Sequence, residues 1–136
     1  MQEIPSTGRD EGRCCYFIGV FSLLVLKGHG EAFVSVYYVQ AWAIMSTYEA
    51  SKTYFSRSWM SSGRTVRLCH MLGLHRLDGD GTDLKRILQP PRDWIELEER
   101  RRAFWAAFYV DRWASSGTGW PMLINEREVG CKLKLF

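Results

Sequence analysis

The stretch Glu98-Glu99-Arg100-Arg101-Arg102-Ala103-Phe104-Trp105 combines charged residues at helical spacing with aromatic residues that favour burial. Within it, Glu98 precedes Arg101 and Arg102 by one helical turn, the order in which an acid and a base stabilise each other on a helix. Glu96 stands in the same relation to Arg100. The stretch therefore predicts a helix with a charged face and an aromatic edge.

The helix around this stretch is predicted to span residues 93–113. Asp93 follows two prolines and can cap the free amides of a helix start, and Glu96 completes a box-like arrangement. A loop is expected over 115–121. The predicted inward edge comprises one leucine, three aromatic residues and one arginine: Leu97, Phe104, Trp105, Phe108 and Arg112.

Two further helices are predicted upstream, at 31–50 and 58–72. Steps of three or four residues place one set of side chains on a single face of the first: Phe33, Val36, Tyr37, Gln40, Ile44 and Tyr48. The second has Trp59, Ser62, Val66, Cys69 and Leu72 on one side. Gly73 suits the left-handed end of that helix, and Leu74 can pack back on its final turn.

Composition indicates a folded chain without a dedicated nucleic-acid surface. The 136 residues fit one domain, 46% are hydrophobic, and the net charge is +3 with acids and bases interspersed. Phosphate-binding surfaces usually show a clustered basic stripe. The arginine groups Arg57, Arg64, Arg67 and Arg100, Arg101, Arg102 are therefore predicted to lie on solvated or salt-bridged faces.

The spacing of the candidate residues matches no catalytic or metal-binding pattern. We therefore predict that this chain is not an enzyme and contains no catalytic residue, cofactor or metal ligand. His70 and His75 are five residues apart across a glycine, which is not the spacing of a helical metal pair, and no Cys-x-x-Cys occurs. A calcium loop that began at Asp78 would need glycine at its sixth position and glutamate at its twelfth, where this chain has Asp83 and Gln89. Ser115-Ser116-Gly117 and Cys69-His70 lack the context of an activated nucleophile.

Residues 1–30 form an unassigned lead-in that contains an apolar run, Cys14 to Leu26. This run is shorter than the roughly 20 residues that span a bilayer. Three interpretations remain: a buried helix, a stretch outside the domain, and a secretory or membrane-associated segment, against which the acidic residues near the amino end argue. Residues 130–136 are an unassigned tail. Four irregularly spaced cysteines favour a reducing compartment.

The spaced motifs resemble the fungal-specific transcription factor domain, the middle regulatory region of fungal zinc-cluster transcription factors of the xylanolytic activator type. The resemblance covers roughly 35–129, and we assign 31–129 to a partial domain of this kind. It rests on motif residues in the family's order: Leu72, Gly73, Leu74, His75, Arg76, Glu98, Arg101, Arg102, Phe104, Trp105, Asp111, Arg112, Gly119 and Pro121. The family usually has Gly-Arg-Pro where this chain has Gly119-Trp120-Pro121.

The resemblance implies a nuclear, non-enzymatic regulatory region that controls RNA polymerase II genes through intramolecular or protein contacts. DNA contact, and with it zinc, would belong only to the six-cysteine cluster of a full-length parent, which is absent from this sequence. No membrane partner is expected. The alternative is a small-molecule inducer-sensing domain whose pocket is lined by aromatic residues such as Trp59, Trp105, Tyr109 and Trp120.

The expected fold is all-α, an antiparallel helical array that is a fragment of a larger helical domain. His75-Arg76 and Asp111-Arg112 are interpreted as structural. An arginine just past one helix end and an aspartate on the next long helix are predicted to pair across the interface.

Overall fold

The computed structural model describes residues 34–79 and 87–132. This part of the chain contains three α-helices, α1 (Val36–Ser51), α2 (Phe55–Met71) and α3 (Trp94–Thr118), two short 3-10 helices, Leu74–Arg76 and Glu126–Glu128, and no β-strand. The predicted all-α class is confirmed. Residues 31–33 of the first predicted helix and the lead-in 1–30 lie outside the described residues.

The helix ends follow local chemistry closely. Asp93 accepts a hydrogen bond from the backbone N–H of Glu96 at 2.8 Å, and the Glu96 carboxylate accepts one from the backbone N–H of Arg92, also at 2.8 Å. The predicted capping arrangement at the start of α3 is thus confirmed. Gly73 has a φ of 69°, the left-handed conformation that only glycine adopts without cost, so it ends α2 as predicted.

Helices α1 and α2 form an antiparallel pair joined by residues 52–54. The hydroxyl of Ser46 donates to the carbonyl of Ser58, and the hydroxyl of Ser58 donates to the carbonyl of Ser46, each at 2.8 Å. Further from the loop, the guanidinium of Arg64 lies 4.6 Å from the ring centre of Trp42. The hydroxyl-to-carbonyl bonds between Ser46 and Ser58 require the two backbones to lie close together, and these small side chains permit that approach.

Helix α3 lies antiparallel to α2 and parallel to α1. Near its beginning, Gln40 of α1 donates a hydrogen bond to Glu99 at 3.0 Å. Just past its end, the ring of Trp120 lies 5.1 Å from that of Trp59 on the first turns of α2. The predicted antiparallel array is confirmed by this arrangement. None of the helices in the described residues is long and apolar enough to cross a membrane.

The core lies between the three helices and is sealed by the segment 120–132, which runs back along α2. Its buried members are Val39, Val66, Cys69, Leu72, Leu74, Ala103, Phe104, Ala107, Ile124 and Cys131. The segment is held at its far end by the backbone N–H of Gly130, which donates to the carbonyl of His75 at 2.7 Å. Ile124 and Cys131 contribute to a core otherwise built by helices.

The end of α3 differs from the prediction, which placed a loop over 115–121. The helix continues to Thr118, because Ser115 is buried and the hydroxyls of Ser116 and Thr118 donate back to carbonyls of the preceding turn. Gly119, with a φ of 74°, then ends it. Packing against α2 outweighs the weak helix preference of Ser-Ser-Gly-Thr.

The residues that share the predicted face of α1 do not form its buried side. Tyr37 and Ile44 are 68% and 70% exposed, and the helix instead buries Val39, Trp42, Ala43, Met45, Ser46, Glu49 and Ala50. Apolar residues occur on both sides of this helix, so periodicity alone did not separate them. The side with small residues packs on α2 because it permits the closer approach.

The inward edge of α3 is only partly as predicted. Phe104 is fully buried, but Trp105, Phe108 and Arg112 are only partly buried. The face that meets the other helices consists of Arg100, Arg101, Ala103, Phe104, Ala107, Val110, Asp111, Ala114 and Ser115. Alanines occupy the closest contacts because larger side chains would hold α2 further away.

Candidate functional site

A buried ion pair connects the segment after α2 to α3. The guanidinium of Arg101 binds the Asp78 carboxylate with two nitrogens, one of them Nε at 3.0 Å. The backbone N–H of Lys132 donates to the same carboxylate at 2.9 Å, and Glu98 lies 3.5 Å from Arg101. We call Asp78, Glu98, Arg101 and Lys132 the charged cluster. It ties three separate chain segments together.

The electrostatics of the charged cluster favour its ionised form. The hydrogen bonds from Arg101 lower the pKa of Asp78 below its ordinary value, although burial opposes the shift. The same contact raises the pKa of Arg101. Both groups are charged at neutral pH, and the predicted pairs of Glu98 with Arg101 and Arg102 are confirmed at 3.5 and 3.3 Å.

The predicted pair between Arg76 and Asp111 is wrong. Arg76 is exposed on the 3-10 helix, whereas the buried Asp111 carboxylate accepts the backbone N–H groups of Leu123 and Ile124 at 3.1 Å. An ion pair does cross this interface, but it uses Asp78 and Arg101. The short turn after Gly73 brings Asp78, rather than Arg76, toward α3.

Asp111 and its neighbour Arg112 together hold the segment 121–125 against α3. Arg112 donates to the carbonyl of Ile124 at 2.8 Å, contacts the sulfur of Met122, and lies 4.6 Å from the ring centre of Phe108. The Asp111 carboxylate thus accepts hydrogen bonds from N–H groups of this segment, and the adjacent Arg112 guanidinium donates one to a carbonyl of the same segment. Their role is to position that segment, not to bind each other.

The two described histidines meet outside the charged cluster. The rings of His70 and His75 pack edge to face with centres 4.9 Å apart, and His75 is only 8% exposed. Burial, with a smaller contribution from His70, lowers the pKa of His75. Within 34–79 and 87–132 no group of three His, Cys, Asp or Glu side chains is placed to hold a metal ion.

The buried thiols are chemically quiet. Burial raises the pKa of both Cys69 and Cys131 to about 12. A thiol is nucleophilic and metal-binding as its thiolate, and burial disfavours that form for both residues at neutral pH. Both side chains pack in the core.

A second feature lies where the start of α2 meets the end of α3. A cavity of about 340 Å³ opens there to solvent, and we call it the aromatic groove. Trp59 and Trp120 pack edge to face on one side, and Trp113 and Phe55, both about half exposed, stand at the rim. The full lining is Phe55, Ser56, Ser58, Trp59, Trp113, Ala114, Gly117, Thr118 and Trp120.

The groove contains no charged side chain, and two of its hydroxyls are already used. Ser58 donates to the carbonyl of Ser46, and Thr118 donates to the carbonyl of Ala114 at 2.7 Å. Of the aromatic residues predicted to line a pocket, Trp59 and Trp120 do so. Trp105 packs on Phe104 and Phe108 instead, and Tyr109 is exposed.

The motif residues divide into two groups by position. Buried or partly buried ones stabilise the core or the contacts described above: Leu72, Gly73, Leu74, His75, Glu98, Arg101, Phe104, Trp105, Asp111 and Arg112. Arg76, Arg102, Gly119 and Pro121 are exposed, and Gly119 ends α3. The motif therefore supplies core residues, Glu98 and Arg101 of the charged cluster, and the two residues that hold the segment 121–125, Asp111 and Arg112.

Sequence reasoning missed Asp78, Lys132 and Trp113. Asp78 begins the acidic run that was tested only as a calcium loop, and its proximity to the Leu-Gly-Leu turn was the available signal. Lys132 contributes a backbone N–H, which side-chain patterns do not reveal. The predicted helix 93–113 ends at Trp113, whereas α3 continues to Thr118 and so carries Trp113 into the wall of the groove.

Comparison with known proteins gives a consistent result. Residues 23–134 match the family described as the fungal specific transcription factor domain. The citrinin biosynthesis transcriptional activator of Monascus ruber is 35% identical over 108 residues, which are 79% of this chain and 20% of that protein. The pigment biosynthesis transcriptional activator of the same organism is 35% identical over 111 residues, 81% of this chain and 20% of that protein.

A third relative is the azaphilone cluster-specific transcription factor of Aspergillus niger. It is 39% identical over 74 residues, which cover 54% of this chain and 16% of that protein. The chain thus spans about one fifth of the length of the curated relatives it matches. No solved structure matches it.

Proposed function

Because the chain belongs to the fungal specific transcription factor domain family, we propose that it is the regulatory, non-DNA-reading part of a zinc-cluster transcription factor. A role in transcription regulation follows from the family and from relatives that are transcriptional activators. The finer proposal is that the domain acts in the nucleus on RNA polymerase II genes, through intramolecular or protein contacts. Zinc and DNA would be bound by a cluster elsewhere in the parent.

The observation that carries this proposal is the use of three arginines of α3 inside the fold. Arg100 binds Glu96 at 2.7 Å, Arg101 binds Asp78, and Arg112 binds the carbonyl of Ile124. DNA binding requires basic side chains that are free to meet phosphates. These arginines stabilise the domain instead, which supports a regulatory role over direct DNA contact.

The relatives favour pathway-specific control. Their names refer to citrinin biosynthesis, to pigment biosynthesis and to an azaphilone cluster. We extend the proposal accordingly: the parent regulates a biosynthetic gene cluster of this general kind, and the domain modulates its activity.

A reporter experiment tests the proposal. The 136-residue chain is joined to an unrelated DNA-binding domain whose DNA site lies upstream of a reporter gene. In a separate assay, a labelled DNA duplex is titrated with the chain alone. We expect tethering to change reporter expression severalfold and the untethered chain to bind DNA only weakly and without sequence preference. Sequence-specific DNA binding by the chain alone, or an inert tethered chain, contradicts the proposal.

A second candidate function is supported by the aromatic groove. Sensing of a small-molecule inducer needs a concave, mostly apolar site, and such sites have volumes of about 300–1,000 Å³. The groove, at about 340 Å³, falls at the lower end of that range. This function is compatible with the first, because a regulatory domain that binds an inducer remains a regulatory domain.

A further inference from the structure

We propose that the aromatic groove binds a neutral, planar, conjugated molecule of about two fused rings. This inference rests on the second candidate function above and adds the chemical class of the ligand. It is carried by the composition, size and shape of the groove at the junction of α2 and α3.

The absence of charge among the lining residues argues for a neutral ligand. None of the nine residues that line the groove is acidic or basic. An ionised ligand would lose its hydration there without gaining a counter-charge, which is costly. The exposed rim leaves a hydroxyl or carbonyl group of the ligand in contact with water.

The aromatic walls argue for a planar ligand. Trp59 and Trp120 already pack edge to face, with an angle of 66° between their planes, so the two indoles present surfaces in different directions. A flat ring can stack on one indole and meet the edge of the other, as aromatic groups prefer. A saturated ring of the same size can do neither.

The volume argues against a peptide helix as the occupant. An α-helix is about 10–12 Å across with its side chains, and helix-binding grooves extend over several turns. A cavity of about 340 Å³ receives at most one or two side chains of such a helix. It matches a small molecule as a whole.

Gly117 provides a sharp test, because a Cβ built on it meets no atom within 4 Å. Because Gly117 also lines the groove, we expect a leucine at this position to extend into it without displacing the core. The Gly117→Leu variant should therefore fold normally and block the site. Trp94, which is 64% exposed at the opposite end of α3, offers a matched control in Trp94→Ala.

The experiment is isothermal titration calorimetry of the full chain with three probes: 2-naphthol, its saturated analogue decahydro-2-naphthol, and 2-naphthoate. The saturated analogue keeps the skeleton and the hydroxyl but not the flat rings, and 2-naphthoate keeps the rings but adds charge. We expect 2-naphthol to bind roughly two- to twelvefold more tightly than decahydro-2-naphthol, the ratio that one aromatic contact contributes, and also more tightly than 2-naphthoate, whose charge loses hydration in the groove. Circular dichroism verifies the fold of each variant.

The variants localise the site. Gly117→Leu should abolish 2-naphthol binding, and Trp120→Arg, which places a charge in the wall, should weaken it by about tenfold. Trp94→Ala should leave the affinity unchanged. Equal affinity for 2-naphthol and its saturated analogue, no binding by the wild-type chain, or undiminished binding by Gly117→Leu overturns the inference.

The failure of this inference can be distinguished from the failure of the proposed function. If the tethered chain regulates the reporter but does not bind 2-naphthol, the inference is wrong and the regulatory function stands. If the chain binds 2-naphthol in the groove but is inert on the reporter, the inference is supported and the regulatory function fails. Capture of an amphipathic helical peptide that Gly117→Leu prevents, without binding of 2-naphthol, also overturns the small-molecule assignment.

Discussion

The two ends of the helical array handle their polar and apolar groups in opposite ways. At the charged cluster, Asp78 and Arg101 are largely buried and bind each other, and the Asp78 carboxylate also accepts the backbone N–H of Lys132. At the aromatic groove, three indoles and a phenyl ring stay partly exposed around a cavity. One end joins chain segments through buried charged groups, whose desolvation costs free energy, and the other leaves apolar side chains exposed to solvent. The buried ion pair thus lies at one end of these helices and the proposed ligand site at the other.

The largest expected effect comes from removing a partner in the charged cluster. Asp78→Ala leaves the Arg101 guanidinium buried with only Glu98 nearby and removes the acceptor of the Lys132 N–H. Such a change costs about 3 kcal/mol of unfolding free energy. Urea unfolding followed by circular dichroism measures it.

The control for this change is an exposed ion pair. Glu126 is 75% exposed where it meets Arg112, so Glu126→Ala should alter the unfolding free energy by less than about 0.5 kcal/mol. Equal losses in the two variants would mean that the charged cluster is not a stabilising feature.

The pH dependence of stability should originate near the charged end. The pKa of His75 is lowered by burial, so below its ordinary value of 6.5 the unfolded chain takes up a proton that the folded chain resists. Stability is therefore complete above about pH 6.5 and falls as the pH decreases, by at most about 1.4 kcal/mol per pH unit. Thermal melts between about pH 7.5 and 5 measure this slope.

Two variants separate the contributions to that slope. Asp78, whose pKa is also lowered, has the same sign but acts only at more acidic pH, as its carboxylate becomes protonated below its ordinary value of 3.8. His75→Gln should flatten the profile between about pH 7.5 and 5, whereas Asp78→Asn should leave the slope in that range unchanged and flatten only an extension of the melts to about pH 3. A profile that His75→Gln leaves unchanged would remove His75 as the cause.

A smaller effect is expected at the aromatic groove. Trp113 is 46% exposed, so Trp113→Ala should lower the unfolding free energy by less than about 1 kcal/mol while weakening binding of 2-naphthol. Urea unfolding and calorimetry measure the two quantities on one sample. A loss above about 2 kcal/mol would show that the groove is part of the core, and the contrast between the two ends would disappear.

The last prediction compares two glycines at the same end of α3, whose substitutions have small effects of opposite sign. Gly117 lies within the helix with open space around its Cβ position, so Gly117→Ala should stabilise the chain by about 0.5 kcal/mol. Gly119 has a φ of 74°, so Gly119→Ala should destabilise it by about 1 kcal/mol. Melting temperatures that shift in the same direction for both variants would contradict the observed helix end.

Local features were predictable because they depend on residues close in the chain. The cap formed by Asp93 and Glu96, the stop at Gly73 and the pairs of Glu98 with Arg101 and Arg102 all involve neighbours within about one helical turn. The candidate site was less predictable. Trp59 and Trp120 were singled out as pocket residues, but Trp113 and the site's location were not.

What the sequence determined by itself was the helical class, the approximate helices and their caps, because these follow from the spacing and chemistry of adjacent residues. Tertiary structure decided which side of α1 is buried, that Asp78 rather than Asp111 meets an arginine, and that α3 continues to Thr118. Those outcomes depend on how closely small residues let the helices approach and on which distant backbone groups need partners. Neither quantity is encoded in any single stretch of the chain, so both required the packed fold.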